Sequence, residues 1–252
     1  MPSIINASIS STGLLQSADA SGILQLQSNG VTGLTVGSGG LLTAANGILM
    51  SSMTLGSAVT GEFEYDGGEL YFTPLDTQRG LIPNMQYYRL NSAYVGSNVN
   101  TVQSLFGVGV TLSSNTVYAF ESVFAISKTA GTTSHTTGLG FGGTATINNI
   151  GYHLHNQFDA TAFTTVPYSG TVLNQWISSA TNTTISGGSV SAGAYRVLNM
   201  RGTVSINAGG TFIPQYTLSA APGGAYTTQI GSYFLIYPIG AAGSNTNIGT
   251  WA

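Results

Sequence analysis

The chain holds almost none of the residues from which exposed helix faces are built. Across 252 residues there are five Lys and Arg and eight Asp and Glu. A surface helix sets a charged or strongly polar stripe opposite its apolar one. Thirteen charged side chains do not supply several such stripes, and no stretch repeats its apolar residues at a helical period. Instead Gly, Ser, Thr and Asn interrupt the chain at short intervals, and the runs between them are rich in β-formers. The reading is an all-β protein.

Two regions differ in texture. In residues 1–55 one phrase recurs, a glycine followed by aliphatics and a polar step: Gly22-Ile23-Leu24, Gly33-Leu34, Gly40-Leu41-Leu42 and Gly47-Ile48-Leu49, with Gly13-Leu14-Leu15 before them. Asn29-Gly30 and Asn46-Gly47 are strong turn signals. Pieces this short do not bury two faces alone, so they need neighbours, either sister chains or a partner surface. The region reads as an extended attachment arm. Ile23, Leu24, Leu26, Leu34, Val36, Leu41 and Leu42, together with Val31, are the side chains it would shield, and its one charge is Asp19.

Residues 56–252 read as a β-domain. In "YAFESVFAI" alternation places Tyr118, Phe120, Phe124 and Ile126 on one face, opposite Glu121 and Ser127. In "YRVLNMRGTVSI" it places Leu198, Met200, Val204 and Ile206 opposite Arg201 and Thr203. "SYFLIYPI" is apolar on both faces, as a central or an interface strand would be. About eight to ten strands fit here, a number that suits a jelly-roll β-sandwich.

Charge narrows the function classes. Charged residues make up 5% of the chain, against about 25% in ordinary domains, so much of the surface is expected to face other protein. A net charge of −3 leaves no basic patch for nucleic acid. The absence of cysteine removes disulfides, thiolate metal sites and a Cys nucleophile. Met1-Pro2-Ser3 opens no recognisable secretory signal, and no apolar run approaches the roughly 18 residues of a membrane span.

Few motifs carry chemistry. Glu62, Glu64, Asp66, Glu69 and Asp76 place five of eight acids within 15 residues, in a hairpin turning at Asp66-Gly67-Gly68. Glu62, Glu64 and Asp66 would share a strand face. Paired carboxylates serve glycoside hydrolysis or bind calcium; the plainer reading is a solvated face that blunts an edge strand. His153 and His155 alternate in "GYHLHN", so both imidazoles point one way, as half of a metal site would or as ordinary surface or interface histidines do. Symmetric copies would have to supply the missing ligands. "GLGFGG" matches a dinucleotide fingerprint at Gly138, Gly140 and Gly143, but the residues that follow are β-like where that motif needs a helix. Asn6-Ala7-Ser8 and Asn182-Thr183-Thr184 fit a glycosylation pattern that matters only in a secretory route. Tyr87, Tyr88 and Tyr94 form an aromatic cluster suited to a glycan or to a subunit seam.

"SGILQLQSNGVTGLTV" resembles the short repeated modules of fibre and other virion proteins of tailed bacteriophages, especially those infecting marine cyanobacteria. "GEFEYDGGELYFTP", "QRGLIPNMQYYRL" and "YAFESVFAISKTAGTTSHT" resemble a C-terminal domain recurrent in the same phages. The resemblance implies a homotrimeric virion structural protein with a jelly roll of the tumour-necrosis-factor-like kind, and it transfers no catalytic or metal residue. Long tail fibres run far past this length, so a capsid decoration or cement protein on the outer shell fits better than a long fibre. The arm would grip the major capsid protein, another virion protein or a sister chain. The alternative is a short head or tail fibre whose β-domain binds a host surface glycan. No enzyme activity and no cofactor are expected.

Overall fold

A computed structural model describes residues 23–28, 31–37, 42–44, 47–160, 162, 163, 171–188, 192–243 and 245–251. No described residue is helical. The chain divides into two compact units, Met1–Ser51 and Ser52–Ala252.

In the first unit β1 (Leu24–Ser28), β2 (Val31–Val36) and β3 (Leu42–Ala44) form an antiparallel sheet in that order. This corrects the picture of an arm of separate extended pieces. Backbone amides and carbonyls need partners, and here the short runs supply them to one another. Leu41 lies outside the described residues.

The second unit opens with β4 (Phe63–Tyr65), β5 (Leu70–Phe72) and β6 (Gly80–Ile82), a small sheet in that order. Met53 N donates to Tyr65 O at 2.9 Å, so the chain is tied to this sheet from there on. Next come β7 (Gln86–Arg89), β8 (Tyr94–Val95), β9 (Gln103–Ser104) and β10 (Val110–Leu112). The long strands follow: β11 (Thr116–Lys128), β12 (Thr137–Gly142), β13 (Thr146–Asp159) and β14 (Thr171–Ile177). Then come β15 (Thr183–Thr184), β16 (Ala194–Ala208), β17 (Gly210–Leu218), β18 (Thr227–Thr228) and β19 (Tyr233–Ala241).

Two sheets face each other. The larger runs β14-β13-β16-β11; β11 then pairs with β19, which carries β7, and near its C-terminal end with β18, which carries β8. The smaller runs β10-β17-β12-β15, with β9 also on β17. The antiparallel pairs β11–β19, β12–β17 and β13–β16 are nested, so the second half of the chain pairs back onto the first. The described residues of this unit form sixteen strands, more than the count read from sequence, because nine are four residues or shorter and leave no legible alternation.

The core lies between the sheets. Tyr118, Phe120, Phe124 and Ile126 of β11 are at most 4% exposed, and Leu198, Met200, Val204 and Ile206 of β16 are fully buried, on the faces that alternation assigns. Full burial of such a side chain is worth roughly 1.5–3 kcal/mol. Phe120 meets Phe141 and Phe212 across the gap and Phe234 of the neighbouring strand β19, and Phe141 stacks on Phe212 at 4.6 Å. β19 is an interior strand paired on both sides: Phe234 and Ile236 point inward, while Leu235 and Tyr237 lie on the opposite, partly exposed face. Burial also thins the surface charge, because Glu64, Lys128, Asp159 and Arg196 are inside. Lys128 Nζ donates to the carbonyls of Ala130, Gly131 and Ala192, and its burial lowers its pKa.

Candidate functional site

Directly paired residues of neighbouring strands share a sheet face. In the first unit the pairs are Leu24↔Val36, Leu26↔Leu34, Val36↔Leu42 and Leu34↔Ala44. Leu26, Leu34, Val36 and Leu42 therefore occupy one face with Ala44. The other face is polar: Gln25 pairs with Thr35 and Thr35 with Thr43, and Gln27 Nε2 donates to Thr32 Oγ1 at 3.2 Å. Leu26 is 48% and Leu42 57% exposed, so the apolar face is open. Four of the seven arm residues singled out in the sequence meet there; the Leu24 side chain lies outside the described residues, and Ile23 precedes β1 and is exposed.

The acidic hairpin is a structural device. β4 and β5 pair around Asp66-Gly67-Gly68 as expected, with Gly67 at φ 103°. The carboxylates, however, do not form a solvated face. Glu64 is 2% exposed and takes two bonds from Arg79, from Nε at 2.5 Å and from the other guanidinium nitrogen at 2.9 Å. Asp66 Oδ1 accepts the amides of Gly68 and Glu69, and its Oδ2 accepts the Tyr71 hydroxyl at 3.0 Å. Burial raises the Asp66 pKa, but these bonds together outweigh it and leave the carboxyl below its ordinary range. Glu69 shifts the other way, raised by burial and by the Asp66 charge. Glu64 and Asp66, the two acids at the centre of the cluster, are thus committed to contacts within this small sheet. Among the described residues no three His, Asp or Glu side chains gather as metal ligands.

The outer face of the large sheet is where the histidines lie. Register lines up Trp176, His153, Arg201, Glu121, Leu235 and Tyr87 across β14, β13, β16, β11, β19 and β7. The adjacent row is Asn174, His155, Asn199, Val123, Tyr233 and Arg89. His155 Nδ1 bonds Asn174 Oδ1 at 2.8 Å. The Tyr233 hydroxyl donates to Glu121 Oε1 at 2.8 Å, and this bond, first among the causes, pushes the phenol up to about 12. Trp176 is 71% exposed. The third histidine, His135, is a core residue between Thr133 O and the Tyr226 hydroxyl.

This face changes character along its width. The β14–β13–β16 half carries Trp, His, Asn and Arg. The β11–β19–β7 half carries Ala119, Val123, Leu235 and Tyr237 beside Glu121, and a groove of about 500 Å³ there is lined by Pro83, Met85, Leu235 and Tyr237 together with Glu121 and with Arg201 of β16. The three tyrosines read as a cluster are split. Tyr87 stacks on Tyr233 on the outer face. Tyr88 meets Phe106 edge-on, and both tyrosines border a cleft of about 340 Å³ between β7 and β10. Tyr94 packs over Gly107, where a Cβ would approach its ring to 2.6 Å. Their separation follows from strand alternation, which sends Tyr87 and Tyr88 to opposite faces. "GLGFGG" runs through strand β12 into the turn before strand β13, without a helix. Asn182 packs over Gly138 of β12, whose Cβ would meet its side-chain oxygen at 2.0 Å; Asn6 lies outside the described residues.

Trp176 was not legible as a surface residue until the pairing of β14 was known. The available signal was the alternation in "TVLNQWI", which sets Val172, Asn174 and Trp176 opposite Leu173, Gln175 and Ile177. No family model matches the chain, and no curated protein matches it.

Proposed function

We propose that the chain is a structural protein of a tailed-phage virion, a decoration or cement protein of the outer capsid surface. It assembles as a homotrimer and is anchored to the major capsid protein by its N-terminal sheet. The observation that carries this reading is the one-sided sheet of β1, β2 and β3: an apolar face backed by Gln and Thr, with Leu26 and Leu42 about half exposed. Such a face gains free energy only when covered. The apolar half of the outer face, with Leu235 and Tyr237 beside Ala119, suits contact between copies. The nested strand pairs support a jelly-roll reading of the sandwich. No catalytic step is assigned.

Attachment through uncharged side chains has little to lose to ionic screening, and three tethered sheets raise the effective concentration of each. Purified protein added to particles lacking it should therefore stay bound from low to about molar salt. Release by salt alone would contradict the reading. A second reading, a short fibre whose β-domain binds a host glycan, is favoured by one observation, the exposed Trp176 in a row with His153 and Arg201.

A further inference from the structure

We infer that the β14–β13–β16 half of the outer face binds a carboxylate-bearing saccharide, with Trp176 as the ring platform and Arg201 as the contact for the acid. The inference rests on the glycan-binding reading and is independent of particle attachment.

The indole is placed by a missing side chain. A Cβ at Gly151 would lie 2.7 Å from Trp176 Cζ2 and 3.3 Å from Cη2. The six-membered part of the ring therefore occupies the space a side chain at position 151 would fill. The ring rests on the backbone of β13, yet the residue is 71% exposed, which leaves a large rigid apolar surface open to solvent. Aromatic rings of this kind serve as low-entropy contact platforms, and the C–H face of a pyranose is a flat, weakly apolar complement.

Beside the platform lies an available cation. His153 pairs with Trp176 on one side and Arg201 on the other. Arg201 is opposite Glu121 in the register, but Glu121 is engaged by the Tyr233 hydroxyl at 2.8 Å. Among the described residues Arg201 forms no ion pair or hydrogen bond. A guanidinium recognises a carboxylate through two parallel N–H bonds. Two strand spacings, roughly 10 Å, separate β14 from β16, and the flexible arginine stem shortens the gap to what one acidic pyranose spans. Asn174, His155 and Asn199 in the next row offer further hydrogen-bonding groups for hydroxyls. Glu121 is the nearest opposing charge, and it favours an acid seated on the His153 side of Arg201.

Calorimetric titration of the full-length protein tests this. The probes are tetragalacturonate and 3′-sialyllactose, each with a neutral counterpart, a galactose tetramer and lactose. The acidic sugars should bind at least about tenfold more tightly than the neutral ones, the scale of one charge-assisted bidentate contact. Arg201→Gln should abolish that preference while leaving weak binding of both series. Trp176→Ala should weaken both series alike, with sedimentation unchanged as evidence of an intact fold. Equal affinity for acidic and neutral sugars, or a preference surviving Arg201→Gln, overturns the inference and leaves the glycan reading standing. Absence of binding to either series overturns both.

Discussion

Glu64 is a carboxylate held inside the protein by Arg79, which also reaches the carbonyl of Gly56 at 2.9 Å. Removing one partner of a buried pair leaves the other charge uncompensated, at a cost of about 3–5 kcal/mol when both are buried. Arg79 keeps 19% of its side chain exposed, so Glu64→Gln should cost less, about 2–3 kcal/mol. Urea unfolding measures it, and an unchanged midpoint would refute the structural role. His135 gives a pH signature. Burial holds its pKa below the ordinary value, against the opposing effect of its bond to Thr133 O. As pH falls below about 6.5 the unfolded chain takes up the proton before the folded one does. Stability from this group is full above that pH and declines until the folded pKa is passed. Thermal melts between pH 7.5 and 5.5 should show the decline, and His135→Asn should flatten it; an equal slope in both proteins would contradict the assignment.

At the scale of elements, two glycines on the neighbouring strands β13 and β16, one residue out of register, make contrasting demands. A Cβ on Gly202 would meet Gly151 O at 2.2 Å and Tyr152 Cα at 2.6 Å, both backbone. A Cβ on Gly151 meets the edge of the Trp176 ring, which can swing toward solvent. Gly202→Ala should therefore destabilise by about 1–3 kcal/mol or more, the usual cost of overpacking, and Gly151→Ala by less than about 1 kcal/mol. Denaturation of both variants decides this, and a reversed order would show that the strand contacts are misassigned. Here the limits of sequence reading are physical. The inward faces of β11 and β16 were legible because Tyr118, Phe120, Phe124 and Ile126, like Leu198, Met200, Val204 and Ile206, alternate over long strands. The row from Trp176 to Tyr87 was not, because register between strands distant in sequence is set by tertiary pairing. The Glu64–Arg79 pair joins residues 15 apart, beyond any local pattern. The arm residues were legible as an apolar set; their gathering on one face depended on β1, β2 and β3 pairing with each other.

For the whole molecule, low surface charge and an apolar half-face make self-association the expected state. Sedimentation of the full chain at micromolar concentration should show a trimer, and Leu235→Asp should shift it toward monomer without unfolding it. A well-folded wild-type monomer would remove the homotrimer from the account. Anchoring by the N-terminal sheet is the central claim, and its most direct test is particle retention of the Leu26→Asp, Leu42→Asp double variant. Both side chains are about half exposed, so the variant should fold and trimerise as the wild type does. Burying even one unpaired carboxylate in an apolar contact is strongly unfavourable, so retention should fall at least about tenfold. Retention equal to the wild type would show that the apolar face of β1, β2 and β3 is not the attachment surface.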